Sequence, residues 1–212
     1  NEKHLGVYQE KLKEILLGAN PPTEPLYPKG PDHTTHISVV DAAGNFVGVT
    51  TTAGESAGYV VEGTGICMNN MLGEADLHPQ GFHKMRPGER LTTMMSPTIL
   101  LKDGAPQMVL GSGGSSRLRS AILQAVSNVI DFKLPLEEAV HLPRIHFGEG
   151  VLQLEGGIPE ERAAVLEEMG YNVNRWKSLN MYFGGTHAVA LENGNWVAVG
   201  DSRRGGDGAI VE

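Results

Sequence analysis

Cysteine occurs once in this 212-residue chain, at Cys67, which excludes an intrachain disulfide. Its apolar setting, Gly65-Ile66-Cys67-Met68, suggests a core position rather than a reactive thiol. Apolar runs are short, and none reaches the length needed to cross a bilayer. Basic side chains are in deficit: 17 Lys and Arg face 25 Asp and Glu. The resulting net charge of −8 argues against nucleic acid or an anionic membrane surface as a partner. The glycine-rich turn from Gly111 to Ser116 fits neither G-x-x-x-x-G-K-[ST] nor G-x-G-x-x-G, so the nucleotide fingerprints are missing. No internal repeat or low-complexity tract is visible. The chain opens at Asn1 with no signal-like segment and reads like the middle of a longer protein, so its compartment stays open.

What is present is globular in character. At 40% hydrophobic content the chain has enough for one good core or half of a larger one. Leu5, Tyr8, Leu12, Ile15 and Leu16 share a helical face over residues 3–17, and Gly18 ends it. Two proline-rich stretches, 20–25 and 28–31, then form an extended linker that cannot be helical. Strands are expected over 34–41 and 46–52, joined at Ala43-Gly44-Asn45. Residues 53–64 read as a glycine-rich loop with a short strand at Tyr59-Val60-Val61. Asp103-Gly104 joins strands over 98–101 and 107–110, and Asn193-Gly194 joins strands over 185–191 and 196–200. One helix is expected over 116–130, with Leu118, Ile122, Leu123, Val126 and Val129 on one face. Another runs over 159–169, entered by Pro159 and closed by Gly170. Hairpins interleaved with helices give an α+β class, an αββα sandwich of which this chain forms part.

A threonine that leads a strand behind a proline-rich linker has a specific chemical use. If the chain is cut between His33 and Thr34, the freed α-amine lies beside the Thr34 hydroxyl and can serve as its base. An α-amine titrates near pH 8, so much of it is neutral at physiological pH. The β-branch of threonine restricts χ1 and holds the hydroxyl in one orientation. An exposed, weakly structured linker suits scission. The same residues also read as an ordinary hairpin that begins with threonines. The turn from Gly111 to Ser116 follows a strand and opens a helix, so its amides can form an anion nest, either an oxyanion hole or a phosphate loop. Eight histidines, among them His33, His36, His78 and His83, raise zinc as a question, but no Cys or carboxylate joins them at ligand spacing. No metal or other cofactor is expected.

Thr34-Thr35-His36-Ile37-Ser38-Val39-Val40-Asp41 is followed by Gly65-Ile66-Cys67-Met68-Asn69-Asn70 and Met95-Ser96-Pro97-Thr98-Ile99. Then come Gly111-Ser112-Gly113-Gly114-Ser115-Ser116-Arg117, Ala139-Val140-His141-Leu142-Pro143-Arg144-Ile145-His146 and Asp201-Ser202-Arg203. In content and order these stretches resemble the γ-glutamyltranspeptidase family of N-terminal-nucleophile hydrolases, over about residues 34–204. The resemblance implies that residues 1–33 are the tail of a larger preceding subunit and 34–212 the catalytic portion. It gives Thr34 as nucleophile, Thr52 as its supporting hydrogen-bond partner, and the amides of Gly114 and Ser115 as oxyanion donors. The family has glycine at both of those last positions.

Departures concentrate where the family grips its substrate. Gly54 stands where the family has an asparagine for the α-amino group, and Met71 and Glu74 stand for a glutamine and an aspartate. Thr93 and Met94 replace paired serines that hold the α-carboxylate. An arginine for that carboxylate belongs, by resemblance, to the larger subunit. The segment from Glu74 to Arg90 is too short for the lid of many members, which favours bulkier donors and water as acceptor. The activity expected is a self-processing threonine hydrolase or acyltransferase acting on γ-glutamyl amides such as glutathione. A glutaryl or cephalosporin acylase on the same chemistry is one alternative, and an unprocessed, non-catalytic binding subunit is the other.

Overall fold

The computed structural model describes residues 34–54 and 57–211; the expected helix over 3–17, the linker after it and His33 lie outside them. In chain order the elements are β1 (Thr34–Val40), β2 (Phe46–Thr52), β3 (Thr98–Lys102), β4 (Ala105–Gly113), α1 (Leu118–Ile130) and α2 (Leu136–His141). They continue with β5 (Ile145–Gly148), β6 (Val151–Leu154), α3 (Glu160–Glu168), β7 (Val173–Arg175), β8 (Gly185–Glu192) and β9 (Asn195–Val199). Turn chemistry sets the hairpins. Asp103 and Gly104 take φ of 52° and 81°, and Asn193 and Gly194 take 49° and 83°, the left-handed pairs that two-residue hairpins require. In the β1–β2 turn the Asp41 carboxylate accepts from the amides of Ala43 and Asn45.

The central sheet runs β3-β4-β8-β9, all antiparallel. Alternation sends Met108, Leu110, Ala188 and Ala190 to one face, where they pack with Ile122 and Ala125 of α1 and Leu136 and Val140 of α2. Each fully buried side chain of this size contributes about 1.5–3 kcal/mol. The opposite face carries Val109 and Gly111 and meets the β1–β2 hairpin. A Cβ built at Gly48 of β2 would lie 3.1 Å from the Val109 side chain, and one at Gly111 would overlap the His36 ring. Helices, a four-stranded sheet and a two-stranded sheet therefore stack as three layers of the expected sandwich. Among the described residues no helix covers the outer face of the hairpin, where Ile37, Val39, Val47 and Val49 are exposed. A smaller sheet, β5-β6-β7, packs Leu152 and Leu154 on Ala163 of α3. No described helix is long and apolar enough to cross a membrane.

Several expectations need correction. Cys67 is exposed, because its segment makes only an isolated bridge with Val60 and no packed strand forms at 59–61. Leu123 is 68% exposed: it lies one residue, about 100° of helical turn, beyond Ile122 and so leaves the face that Leu118, Ile122 and Ala125 bury. Helix α2 and strands β5 to β7 are too short to show a period in sequence.

Candidate active site

Antiparallel register places Thr34 directly opposite Thr52 across the hairpin. The Thr34 hydroxyl donates to the Thr52 hydroxyl oxygen at 2.8 Å, and the Gly54 amide donates to that same oxygen at 3.0 Å. Two donors converge on one acceptor, so the proton on Thr52 Oγ1 is directed elsewhere and the Thr34 oxygen keeps its lone pairs for other work. The Gly54 amide fixes Thr52, and Thr52 fixes Thr34.

Strand β4 ends against this pair. A Cβ at Gly113 would lie 2.7 Å from the Thr34 carbonyl oxygen, so glycine is what lets the two backbones approach. Gly114 follows with φ 130°, and Ser115 with φ 50°. Ser115 thus holds a left-handed angle without being glycine, at a cost of roughly 1–2 kcal/mol. The loop turns directly into α1 through one 3-10 turn over Ser115–Arg117.

On the other side of Thr52, three of the substituted positions meet. A Cβ at Gly54 would stand 2.5 Å from Glu74 Oε1 and 3.0 Å from Met71 Sδ. The longer arm of Glu74 thus fills the space that a side chain at position 54 would take. Gly54 and Glu74 therefore compete for one space. Thr93 and Met94 are not joined to this group by their own hydrogen bonds: Thr93 Oγ1 accepts from the Met95 amide, and the Met94 carbonyl accepts from Ser96.

Beneath the hairpin lies a residue whose role the sequence did not reveal. His36 is 4% exposed, with Nδ1 2.7 Å from Thr50 Oγ1 and Nε2 2.9 Å from Ser38 Oγ. Ser38 in turn donates to the His187 carbonyl of β8 at 3.1 Å. Burial first, then repulsion from His187, pulls the His36 pKa from 6.5 down to about 4. The imidazole is neutral at pH 7, and both its nitrogens are engaged by hydroxyls rather than offered to a metal.

In the turn at Asp201, Ser202 and Gly205 face solvent, but the Asp201 and Arg203 side chains are buried. Arg144 donates to Asp201 Oδ2 at 2.6 Å, and Arg203 forks onto Glu155 at 2.8 and 2.7 Å while also reaching Asp201 Oδ1 at 3.2 Å. Burial alone would raise the Asp201 pKa, but Arg144 and Arg203 outweigh it and hold the carboxyl below its usual range. Pro143-Arg144 and Asp201-Ser202-Arg203 were visible as motifs; their meeting, 57 residues apart, was not.

A family model described as gamma-glutamyltranspeptidase matches residues 9–211. The acylase ACY 1 proenzyme of Pseudomonas sp. (strain SE83) is 40% identical over 160 residues, covering 74% of this chain and 28% of that protein. The glutathione hydrolase proenzyme of Pseudomonas aeruginosa is 30% identical, over 96% of this chain and 39% of the relative. The chain therefore spans about a quarter to two fifths of the length of these relatives. Among solved structures, the gamma-glutamyltranspeptidase of Pseudomonas nitroreducens complexed with L-DON superposes with a TM-score of 0.72 at 31% identity, covering 84% of this chain and 100% of that one. The fold is that of the N-terminal-nucleophile hydrolases, of which the chain forms a part. Motif order, layer architecture and the match over nearly the whole sequence agree, and the chain belongs to the gamma-glutamyltranspeptidase family.

Proposed function

We propose that this chain carries the catalytic machinery of a self-processing threonine amidohydrolase or acyltransferase that accepts γ-glutamyl amides. The observation that carries this reading is the 2.8 Å hydrogen bond from Thr34 to Thr52 beside the Gly113-Gly114 turn. Scission between His33 and Thr34 frees the α-amine, which takes the proton of the Thr34 hydroxyl as the oxygen attacks the amide carbon. The solved Pseudomonas nitroreducens chain is matched over its whole length by 84% of this chain, which supports a separate catalytic chain of about that size. The amides of Gly114 and Ser115 hold the tetrahedral oxyanion, each worth about 10²–10³ in rate. The amine of the donor leaves with the proton, and water or an amino acid then takes the acyl group from Thr34.

The partner is the larger subunit of the same precursor. Its docking surface includes the outer face of the hairpin, where four apolar side chains stand in water, and a cleft of about 770 Å³ along the open edge of β1. That both relatives named above are proenzymes supports this arrangement.

The acylase similarity favours a second reading on one observation. Glu74 fills the space at Gly54 and Met71 offers no acceptor oxygen, so two contacts to a donor's α-amino group are missing. The deciding measurement is kcat/KM for γ-glutamyl against glutaryl anilides, with and without a dipeptide acceptor. A γ-glutamyl preference above about a hundredfold, roughly 2.7 kcal/mol, supports glutathione-type donors, with Glu74 binding the ammonium. Glutaryl turnover within about tenfold moves the acylase reading ahead.

A further inference from the structure

Three arginines converge on one turn behind the glycine loop. Residues 180–184 make a single 3-10 turn over Met181–Phe183, capped by Asn180, whose Oδ1 accepts from the Tyr182 amide at 2.9 Å. Three successive carbonyls of this turn each accept from a different guanidinium. Arg204 Nη2 donates to Met181 at 3.2 Å, Arg117 Nε to Tyr182 at 3.1 Å, and Arg144 Nη1 to Phe183 at 3.2 Å. Glu155 takes the Asn180 amide at 2.8 Å, which joins the turn to the buried charge cluster. Bonds from charged donors are about twice as strong as neutral ones, and three on consecutive carbonyls leave the turn little freedom.

The turn ends in Gly184, and Gly184 abuts the proposed oxyanion loop. A Cβ at Gly114 would lie 2.9 Å from Gly184 Cα, and one at Gly184 would lie 2.9 Å from both the Gly113 carbonyl oxygen and Ser112 Oγ. The Gly185 amide donates to Ser112 Oγ at 3.1 Å, and Ser112 donates onward to the Gly113 carbonyl at 2.8 Å. Gly114 and Ser115 both hold positive φ, so their peptide planes need a wall to keep them there. Arg117 closes the circuit: its own amide donates to the Gly114 carbonyl at 3.0 Å, while its guanidinium lies 4.6 Å over the Tyr182 ring.

We propose that Arg117, with Arg144 and Arg204 behind it, is a positioning residue for acyl transfer: the grip on carbonyls 181–183 presses Gly184 against Gly114 and aims the Gly114 and Ser115 amides. This rests on reading Thr34 as nucleophile and those amides as oxyanion donors. The test uses the full precursor after processing, with a γ-glutamyl anilide and Thr34→Ala alongside. Arg117→Met keeps the packing on Tyr182 and removes the N–H donors. It is expected to lower kcat on the order of tenfold or more, with KM within about threefold and melting temperature nearly unchanged. Arg117→Lys returns a cation and a donor and recovers part of the loss. Asn180→Ala, which uncaps the turn from the other side, lowers kcat in the same way and decides the matter if Arg117→Met does not fold. Unchanged kcat in a folded Arg117→Met or Asn180→Ala, or a loss confined to KM, overturns the proposal. If Thr34→Ala remains active, the nucleophile reading itself falls and takes the proposal with it; if it is dead while Arg117→Met is not, only the positioning role falls.

Discussion

The hairpin that carries Thr34 and the turn that carries Gly184 flank the same glycine loop, yet they are held by opposite means. Around Thr34 and beneath the hairpin the polar contacts are uncharged: hydroxyl to hydroxyl, amide to hydroxyl, and a neutral imidazole between two hydroxyls. On the turn side, two carboxylates (Glu155 and Asp201) and four arginines (Arg117, Arg144, Arg203 and Arg204) are buried or half-buried and lock into one another or into backbone. Neutral hydroxyl bonds contribute about 1 kcal/mol each and rearrange easily. Buried charges tolerate neither loss nor displacement of a partner. The arrangement holds the proposed nucleophile in a net of neutral bonds and gives the proposed oxyanion loop a wall of buried charge.

The strongest way to break the comparison is to remove one charge from the rigid side. Asp201→Asn leaves Arg144 and Arg203 buried without their shared counter-ion, and stability should fall by about 3–5 kcal/mol. Urea denaturation of the processed protein measures it. A loss under about 1 kcal/mol would show the cluster to be ornamental, and the contrast with the hairpin would vanish.

Acid probes the neutral side. His36 has a folded pKa near 4 against 6.5 when free, so the unfolded chain takes up its proton first as pH falls. The stability it supports is intact above pH 6.5 and drains away between 6.5 and 4, by about 2–3 kcal/mol at the lower end. His187 is also lowered, by burial against the pull of Asp201, and tilts the curve the same way. Urea midpoints at pH 7 and pH 4.5 should differ accordingly in the wild type and differ less in His36→Gln. A flat profile would mean that the imidazole is solvated or charged.

A smaller effect sharpens the account of the acyl pocket. Gly54 holds a left-handed φ of 63°, an angle that asparagine tolerates, so its obstacle is the Glu74 carboxylate rather than the backbone. Gly54→Asn alone should lower kcat/KM for γ-glutamyl anilide, and adding Glu74→Asp should recover it. A coupling of about 0.5–3 kcal/mol between the two changes is expected. Simple additivity would show that the two positions are independent.

Much of this was legible in the chain. The hairpins could be read because Asp-Gly and Asn-Gly pairs force their own turn geometry; β4 could be read because Met108-Val109-Leu110 follows such a turn, and α1 because Leu118, Ile122, Val126 and Val129 recur at helical spacing. Thr52 as the partner of Thr34 came from the family resemblance, and the observed register across the turn at Gly44 places the two opposite each other. The charge cluster was not legible, because Arg144, Glu155 and Asp201 come from three segments that only the packed fold brings together. Nor was the approach of Glu74 to Gly54, since a contact across 20 residues leaves no local pattern. Cys67 misled because apolar neighbours in sequence do not ensure a sheet to pack against.

Mass spectrometry of the full precursor, expressed, folded and incubated, decides whether Thr34 is a nucleophile freed by the chain itself. Wild type should yield a fragment whose first residue is Thr34, while Thr34→Ala stays a single chain without amidase activity. A folded wild-type precursor that remains intact after long incubation, or a Thr34→Ala chain that is cut before residue 34, contradicts it.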